Sequence, residues 1–219
     1  MLMWLPENIS TYGAEIDSLF YQLYYITLVA FILVAATMVV FMIKYRQREG
    51  HRAKYIHGHT GLEITWTVLT AVTVISFALI SAPLWARIKI DVPSHDIQVQ
   101  VTGKQFNWEV LYPGPDGEFG TPDDLEIENM VHVPVNKVVK VLLTSKDVIH
   151  SFFVPALRLK QDSLPGRKIS SWFEATKTGT YEIPCAELCG FGHSGMLGYL
   201  IVHTDEDYAL WVQENWPQP

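Results

Sequence analysis

Apolar positions along this chain follow two different rhythms. In the first 90 residues they run together: Ser18 to Ile43 holds no charged side chain, and Leu62 to Trp85 is interrupted only by Glu63. At about 1.5 Å per residue the first run makes a helix roughly 39 Å long, enough to cross a bilayer with some tilt. Tyr21, Tyr24 and Tyr25 stand near its start, where aromatic rings favour the membrane interface. The second run is closed by Pro83, Trp85, Arg87 and Lys89. The pattern predicts an antiparallel hairpin of spanning helices at about 18–43 and 62–87, with a loop over 44–60.

From Asp96 onward the rhythm changes to period two. Ile97, Val99 and Val101 alternate with polar residues, as do Val139, Val141 and Leu143. That is strand patterning, and short strands between Gly/Pro turns predict an antiparallel sandwich or barrel. Asp205 to Asn215 reads as a short amphipathic helix. The expected organisation is a tail over 1–17, a transmembrane hairpin over 18–90 and an all-β domain over 91–219.

Charge orients this arrangement. Lys44, Arg46, Arg48, Arg52 and Lys54 fall in the loop, while residues 1–17 carry no Lys or Arg. The positive-inside rule places the loop in the cytoplasm and both chain ends, with the β domain, outside it. The outer compartment is then a bacterial periplasm or outer surface, or a mitochondrial intermembrane space. His51, His57 and His59 lie in the same loop and read as a solvated segment. The tail lacks the basic start of a signal peptide and is expected to be mature or processed elsewhere. From Asp91 on, 18 acidic side chains face 9 basic ones. Such a domain repels nucleic acid and attracts basic partners. Tyr112 to Asp124 is a turn-rich loop whose Asp116, Asp123 and Asp124 could hold a hard cation but fit an ordinary surface loop better.

The candidate chemistry is concentrated in Cys185-Ala-Glu-Leu-Cys-Gly-Phe-Gly-His-Ser-Gly-Met196. Cys185 and Cys189 are the only cysteines, His193 follows Cys189 by four and Met196 follows His193 by three. Thiolate, imidazole and thioether form a soft ligand set that suits copper. A structural zinc site would not use Met196, and a mononuclear blue-copper site needs one cysteine fewer. A disulfide is the plain alternative in an oxidising compartment. A second fragment, Asp147-Val-Ile-His-Ser-Phe-Phe-Val-Pro155, supplies His150 for a site that needs a histidine from another strand.

Together these two stretches resemble the CuA domain of subunit II of haem–copper oxidases, the cytochrome c oxidase family. The resemblance continues through Leu159 to Arg167 and Gly179-Thr-Tyr181 and covers nearly the whole chain. It implies a cupredoxin-like Greek-key barrel and a binuclear, mixed-valence copper centre. Cys185 and Cys189 would bridge the two ions, His150 and His193 would each cap one, and Met196 and the Glu187 carbonyl would be weak ligands. The Glu187 side chain resembles a ligand to magnesium at the boundary with subunit I, near which Asp162 and Arg167 would pack. Glu63, with Trp66 three residues on, resembles the carboxylate at the mouth of a proton-uptake channel, although a helix-start charge stabilised by the macrodipole is the simpler reading. In Gly103-Lys-Gln-Phe-Asn-Trp108, Phe106 stands where the family usually carries the tryptophan that receives electrons, and Trp108 matches the second aromatic.

The resemblance implies an electron relay between a cytochrome c-type donor and a catalytic partner, subunit I, accompanied by subunit III. With Phe106 in the tryptophan's place, a membrane-tethered or complex-bound donor stays open beside a soluble one. No Cys-x-x-Cys-His is present, so no c-type haem is expected on this chain. Oxygen reduction and proton pumping would belong to the partner. Two other readings remain open: a CuA subunit feeding a nitric oxide reductase, and a membrane-anchored copper-delivery protein of thioredoxin-like fold, which the lack of strand–helix alternation disfavours.

Overall fold

A computed structural model describes residues 5–216. The chain divides into two compact units, one from Glu15 to Arg87 and one that joins the residues up to Ala14 with those from Ile88 on.

The first unit is helical. α1 spans Gly13–Lys44 and α2 spans Thr60–Lys89, each beyond the ends of its uncharged run. The extra turns have local causes. Glu15 lies in the first turn of α1 and Lys44 in its last, which suits the helix dipole at both ends. His59 Nδ1 accepts the Leu62 N–H at 3.1 Å, at the start of α2. The side chains of both helices are apolar and outward-facing, and none of the membrane-length windows is buried within the chain. Hydroxyls in these helices bond inward instead: Thr27, Thr37, Thr65, Thr67 and Thr73 each donate to the carbonyl four residues earlier. In hydrocarbon such groups have no water to turn to. Arg87 and Glu15 pair at 2.5 Å, joining the end of α2 to the start of α1 as an antiparallel hairpin.

The second unit is a β-sandwich. Its larger sheet has the order β3-β2-β1-β5-β8, formed by β1 (Ile97–Lys104), β2 (Asn107–Tyr112), β3 (Leu125–Glu128), β5 (Val138–Ser145) and β8 (Ile169–Glu174). The facing sheet has the order β4-β10-β9, from β4 (Met130–Pro134), β9 (Gly179–Pro184) and β10 (Leu197–His203). β6 (His150–Val154) and β7 (Leu159–Ser163) form a separate ribbon. The pairing is mixed: β1 runs parallel to β5, and β4 parallel to β10, while the other ladders are antiparallel.

The expected barrel is therefore corrected to an open sandwich. Among the described residues the ladders do not close into a ring; the sheets meet through side chains. Val139, Val141 and Leu143 all point inward with zero exposure, as period two requires. Val99, Val101 and Val110 join them from the same sheet, and Val131, Val133, Ile183 and Leu200 come from the other. α3 occupies Asp205–Asn215, as the amphipathic pattern predicts, and Thr204 caps it by accepting the Asp207 N–H at 3.1 Å.

The segment before α1, expected to be a polar tail, is instead part of the sandwich. Ile9 is fully buried in the core. Its N–H donates to Ala156 O at 2.9 Å and its carbonyl accepts the Thr176 N–H at 2.7 Å. Tyr12 is also buried, with its hydroxyl donating to Trp172 O at 3.2 Å.

Candidate metal centre

The site is built where three segments converge at one end of the sandwich. β9 ends at Pro184 and delivers Cys185; β10 begins at Leu197, just after Met196. The Cys185 N–H donates to Met196 O at 3.1 Å, which closes the neck of the loop between them. Within the loop a short 3-10 turn over His193–Gly195 winds the chain back, with Met196 N–H donating to His193 O at 3.2 Å. β6 lies beside the start of the loop: Phe152 bridges to Cys185, and the Ala186 N–H donates to Ser151 O at 3.0 Å. Ser151 is held in turn by Asp162, which accepts its hydroxyl at 2.7 Å. This is how His150, 35 residues upstream, comes to face Cys185.

The donor atoms converge. Cys185 and Cys189 are free thiols with Sγ atoms 3.9 Å apart, far beyond a disulfide bond of about 2.05 Å. His150 Nδ1 lies 3.9 Å from Cys185 Sγ, and His193 Nδ1 lies 3.6 Å from Cys189 Sγ. Met196 Sδ lies 3.8 Å from Cys189 Sγ, and the Glu187 carbonyl lies 3.3 Å from Cys185 Sγ. Ligands about 2.0–2.3 Å from a shared ion sit about 3.3–3.8 Å apart along a tetrahedral edge. The spacing and the soft donor set thus fit a metal. His150, Cys185 and Cys189 alone place three ligand atoms within 4.8 Å of one another, consistent with a copper site.

Surrounding groups fix which atoms face inward. Asp147 Oδ1 accepts His150 Nε2–H at 2.8 Å, leaving the Nδ1 lone pair toward Cys185. Burial would raise the Asp147 carboxyl, but hydrogen bonds from His150, the Gln105 N–H and the Val148 N–H outweigh it and hold it below the usual range. Gly103 on β1 makes room for the imidazole: a methyl group there would lie 2.7 Å from His150 Cδ2. Trp108 is buried beneath, edge-on to His150 at 6.0 Å and to Phe152 at 5.7 Å, with its indole N–H donating to Ile183 O at 3.2 Å. Burial, and then the neighbouring Cys185, push the Cys189 thiol up to about 11. Metal binding must therefore displace the Cys189 proton.

The remaining expected residues lie around or away from the cluster. Glu187 contributes its carbonyl to the cluster, while the residue itself is exposed. Phe106 is 38% exposed and rests on the loop, so that a methyl group at Gly192 would come within 2.5 Å of its ring. Glu63 sits in the first turn of α2, in the helical unit. Asp124 is spent on its own turn, accepting from Gly114 N–H, Gly120 N–H and the Thr121 hydroxyl. Sequence reasoning missed Gln105, whose amide donates to Cys189 O at 2.5 Å. It stood in an aromatic motif, and nothing in its spacing tied it to the loop 84 residues on.

Comparison with known proteins agrees with this geometry. Residues 97–203 match the cytochrome c oxidase subunit II periplasmic domain, and residues 1–84 match the transmembrane domain of the same subunit. The chain belongs to the cytochrome c oxidase subunit II family. It is 33% identical to an alternative cytochrome c oxidase subunit 2 of Bradyrhizobium diazoefficiens, over 97% of this chain and 83% of that protein. Its identity to the cytochrome c oxidase subunit 2 of Cereibacter sphaeroides is 31%, over 86% of this chain and 73% of the relative. Among solved structures, the periplasmic domain of subunit II of cytochrome oxidase from Bradyrhizobium japonicum superposes with a TM-score of 0.51 at 36% identity, covering 57% of this chain and 96% of that one. As a cytochrome c oxidase subunit II, the chain is the subunit through which electrons enter the oxidase. The copper-delivery reading falls with its fold, since a two-sheet sandwich stands where strand–helix alternation would be needed. The nitric oxide reductase reading gives way to the family match.

Proposed function

We propose that His150, Cys185, Cys189, His193 and Met196, with the Glu187 carbonyl, hold a binuclear CuA centre that relays single electrons. One observation carries this reading. Two buried, unbonded thiols stand 3.9 Å apart, and each faces its own imidazole Nδ1. With Met196 Sδ and the Glu187 carbonyl the set has six donors, more than the four of a single tetrahedral ion and enough for two that share both sulfurs. When bound, the copper pair would supply a one-electron redox couple.

The chain's own residues supply the rest. The closed neck of the loop and the Asp147–His150 bond hold the donors in place, so little needs to move when charge arrives or leaves. Trp108, Phe152 and Met196, all buried, keep water from the floor of the site. Phe106, exposed on the β1–β2 turn, would receive electrons from a cytochrome c-type donor, with Leu188 and Phe191 exposed on the neighbouring metal loop and Trp108 buried behind as the second aromatic. The donor is soluble, membrane-tethered or complex-bound. Glu187, exposed beside the centre, would reach a magnesium ion shared with subunit I. Subunit I would take the electrons to its haem–copper site, with subunit III alongside, reducing oxygen with proton pumping. Glu63 would take up protons on the cytoplasmic side. The two apolar helices anchor the chain, with the β domain and both ends outside the cytoplasm.

The test is metal analysis and electron paramagnetic resonance of the detergent-solubilised chain loaded with copper. The expected result is two coppers per chain and a seven-line hyperfine pattern. One copper with a four-line pattern, or copper retained equally after loss of either cysteine, overturns the reading.

A further inference from the structure

The turn between β1 and β2 touches both halves of the metal centre through a single residue. Gln105 N–H donates to Asp147 Oδ2 at 2.7 Å, and the other oxygen of that carboxylate holds His150 Nε2 at 2.8 Å. The Gln105 side-chain amide donates to Cys189 O at 2.5 Å. A carbonyl can only accept, so the group facing it is the NH₂ end of the amide.

The loop is shaped to receive this contact. Gly190, immediately after Cys189, has φ +136, a backbone conformation that L side chains rarely adopt. A methyl group on Gly190 would lie 2.7 Å from Gln105 Nε2 and 3.2 Å from the Phe106 ring. Gly192 is likewise closed off by Phe106. The two glycines let the β1–β2 turn lie flat on the loop. His150 and Cys189 reach the site on different segments; the Phe152–Cys185 bridge and the Ala186 N–H bond to Ser151 O join these segments at the Cys185 end of the loop, and Gln105 adds a tie at the Cys189 end.

We propose that Gln105 is a positioning residue for the metal centre. Its main chain steadies His150 through Asp147, and its side chain steadies Cys189 through the carbonyl. One residue thereby ties the Cys189 end of the loop to the carboxylate that holds His150. The proposal deepens the copper reading and rests on it for its spectroscopic arm only.

The test uses the full chain in detergent with Gln105→Met, which keeps the length and removes the donor, and Gln105→Glu, which turns an acceptor toward the Cys189 carbonyl. In the metal-free chain, the rate of Cys189 alkylation should rise about fivefold to tenfold for Gln105→Met, the scale of one lost hydrogen bond, and further for Gln105→Glu. In the copper-loaded chain, both variants should still bind the wild-type number of ions, lose them to a chelator about tenfold faster, and show altered hyperfine splitting. An unchanged alkylation rate in both variants overturns the proposal, whatever the metal result. If the wild-type chain itself gives a mononuclear signal or none, the binuclear reading fails, while alkylation still decides the role of Gln105. Circular dichroism that matches wild type excludes general unfolding as the cause of a faster rate.

Discussion

Two histidine sites lie in the same sandwich, and they have opposite characters. At the metal centre, His150 gives one ring nitrogen to Asp147 and turns the other toward Cys185. In the second place, His132 on β4 and His203 at the end of β10 turn their nitrogens on each other, Nδ1 to Nε2, at 2.9 Å. His132 stacks on Trp211 of α3 with centroids 4.4 Å apart and planes 8° apart. Tyr112 locks the same strand: its hydroxyl accepts the His132 N–H at 2.6 Å and donates to His132 O at 3.0 Å. Both sites bury an imidazole on a strand. A carboxylate behind and thiols in front suit the first to hold a metal. An indole behind and a second imidazole in front make the other a packing element. The groups that face the two nitrogens decide the role, more than burial or strand position does.

The sharpest way to break this contrast is to remove a thiol. Cys185→Ala or Cys189→Ala should lower copper retention by more than about a hundredfold, since each thiolate serves the whole set. His132→Phe should leave copper content at the wild-type level. Metal analysis after gel filtration separates the two outcomes, and copper loss on His132→Phe would erase the distinction between ligand and packing element.

Acid should act on the second site and leave a signature of its own. Burial, and then His203, lower the His132 pKa to about 4, and burial lowers that of His203 against the pull of Asp207. An unfolded histidine titrates near about 6.5. Between these values the unfolded chain binds more protons than the folded one, so stability is complete above about pH 6.5 and falls as the pH drops toward 4. After the discount for solvent screening of these partly open rings the loss should be at most about 2–3 kcal/mol, measured as a shift in the denaturant midpoint followed by Trp fluorescence. His132→Phe, which keeps a ring on Trp211, should flatten that slope.

Asp147→Asn sharpens the comparison from the other side. It removes the charge that steadies His150 while keeping its size, and should weaken copper binding about 10–100-fold without changing the number of ions bound. Competition with a calibrated chelator checks it. The smallest effect belongs to the cap of α3, the helix that presents Trp211 to His132. Thr204→Ala should cost about 1 kcal/mol of stability and leave copper affinity untouched, a result readable by thermal melts beside the same chelator assay.

The two sites also differ in how far the sequence disclosed them. Cys185, Cys189, His193 and Met196 fall within twelve residues, so their chemistry can be read along the chain. His132 and His203 are 71 residues apart and only the parallel β4–β10 ladder makes them neighbours. Gln105 escaped notice for the same reason. The helices were legible because uncharged runs of such length seldom occur outside membrane spans. Their exact ends were not, because charged turns such as those at Glu15 and Lys89 extend a helix without being apolar. Alternation in Val139, Val141 and Leu143 revealed the inward face of a strand. Whether the sheets close is a property of edge pairing between distant strands, which period two does not encode.

The placement of Ile9 has a consequence for biosynthesis. This side chain leaves the ribosome ahead of both hydrophobic spans, yet its seat is made by Ala156 and Thr176, synthesised long afterwards. The segment around Ile9 must wait, tethered, until the strands around Ala156 and Thr176 arrive to enclose it. Maturation of the β domain thus ends with a reunion of strands made after the spans with a segment made before them, and Ile9→Asp would be felt at that late step.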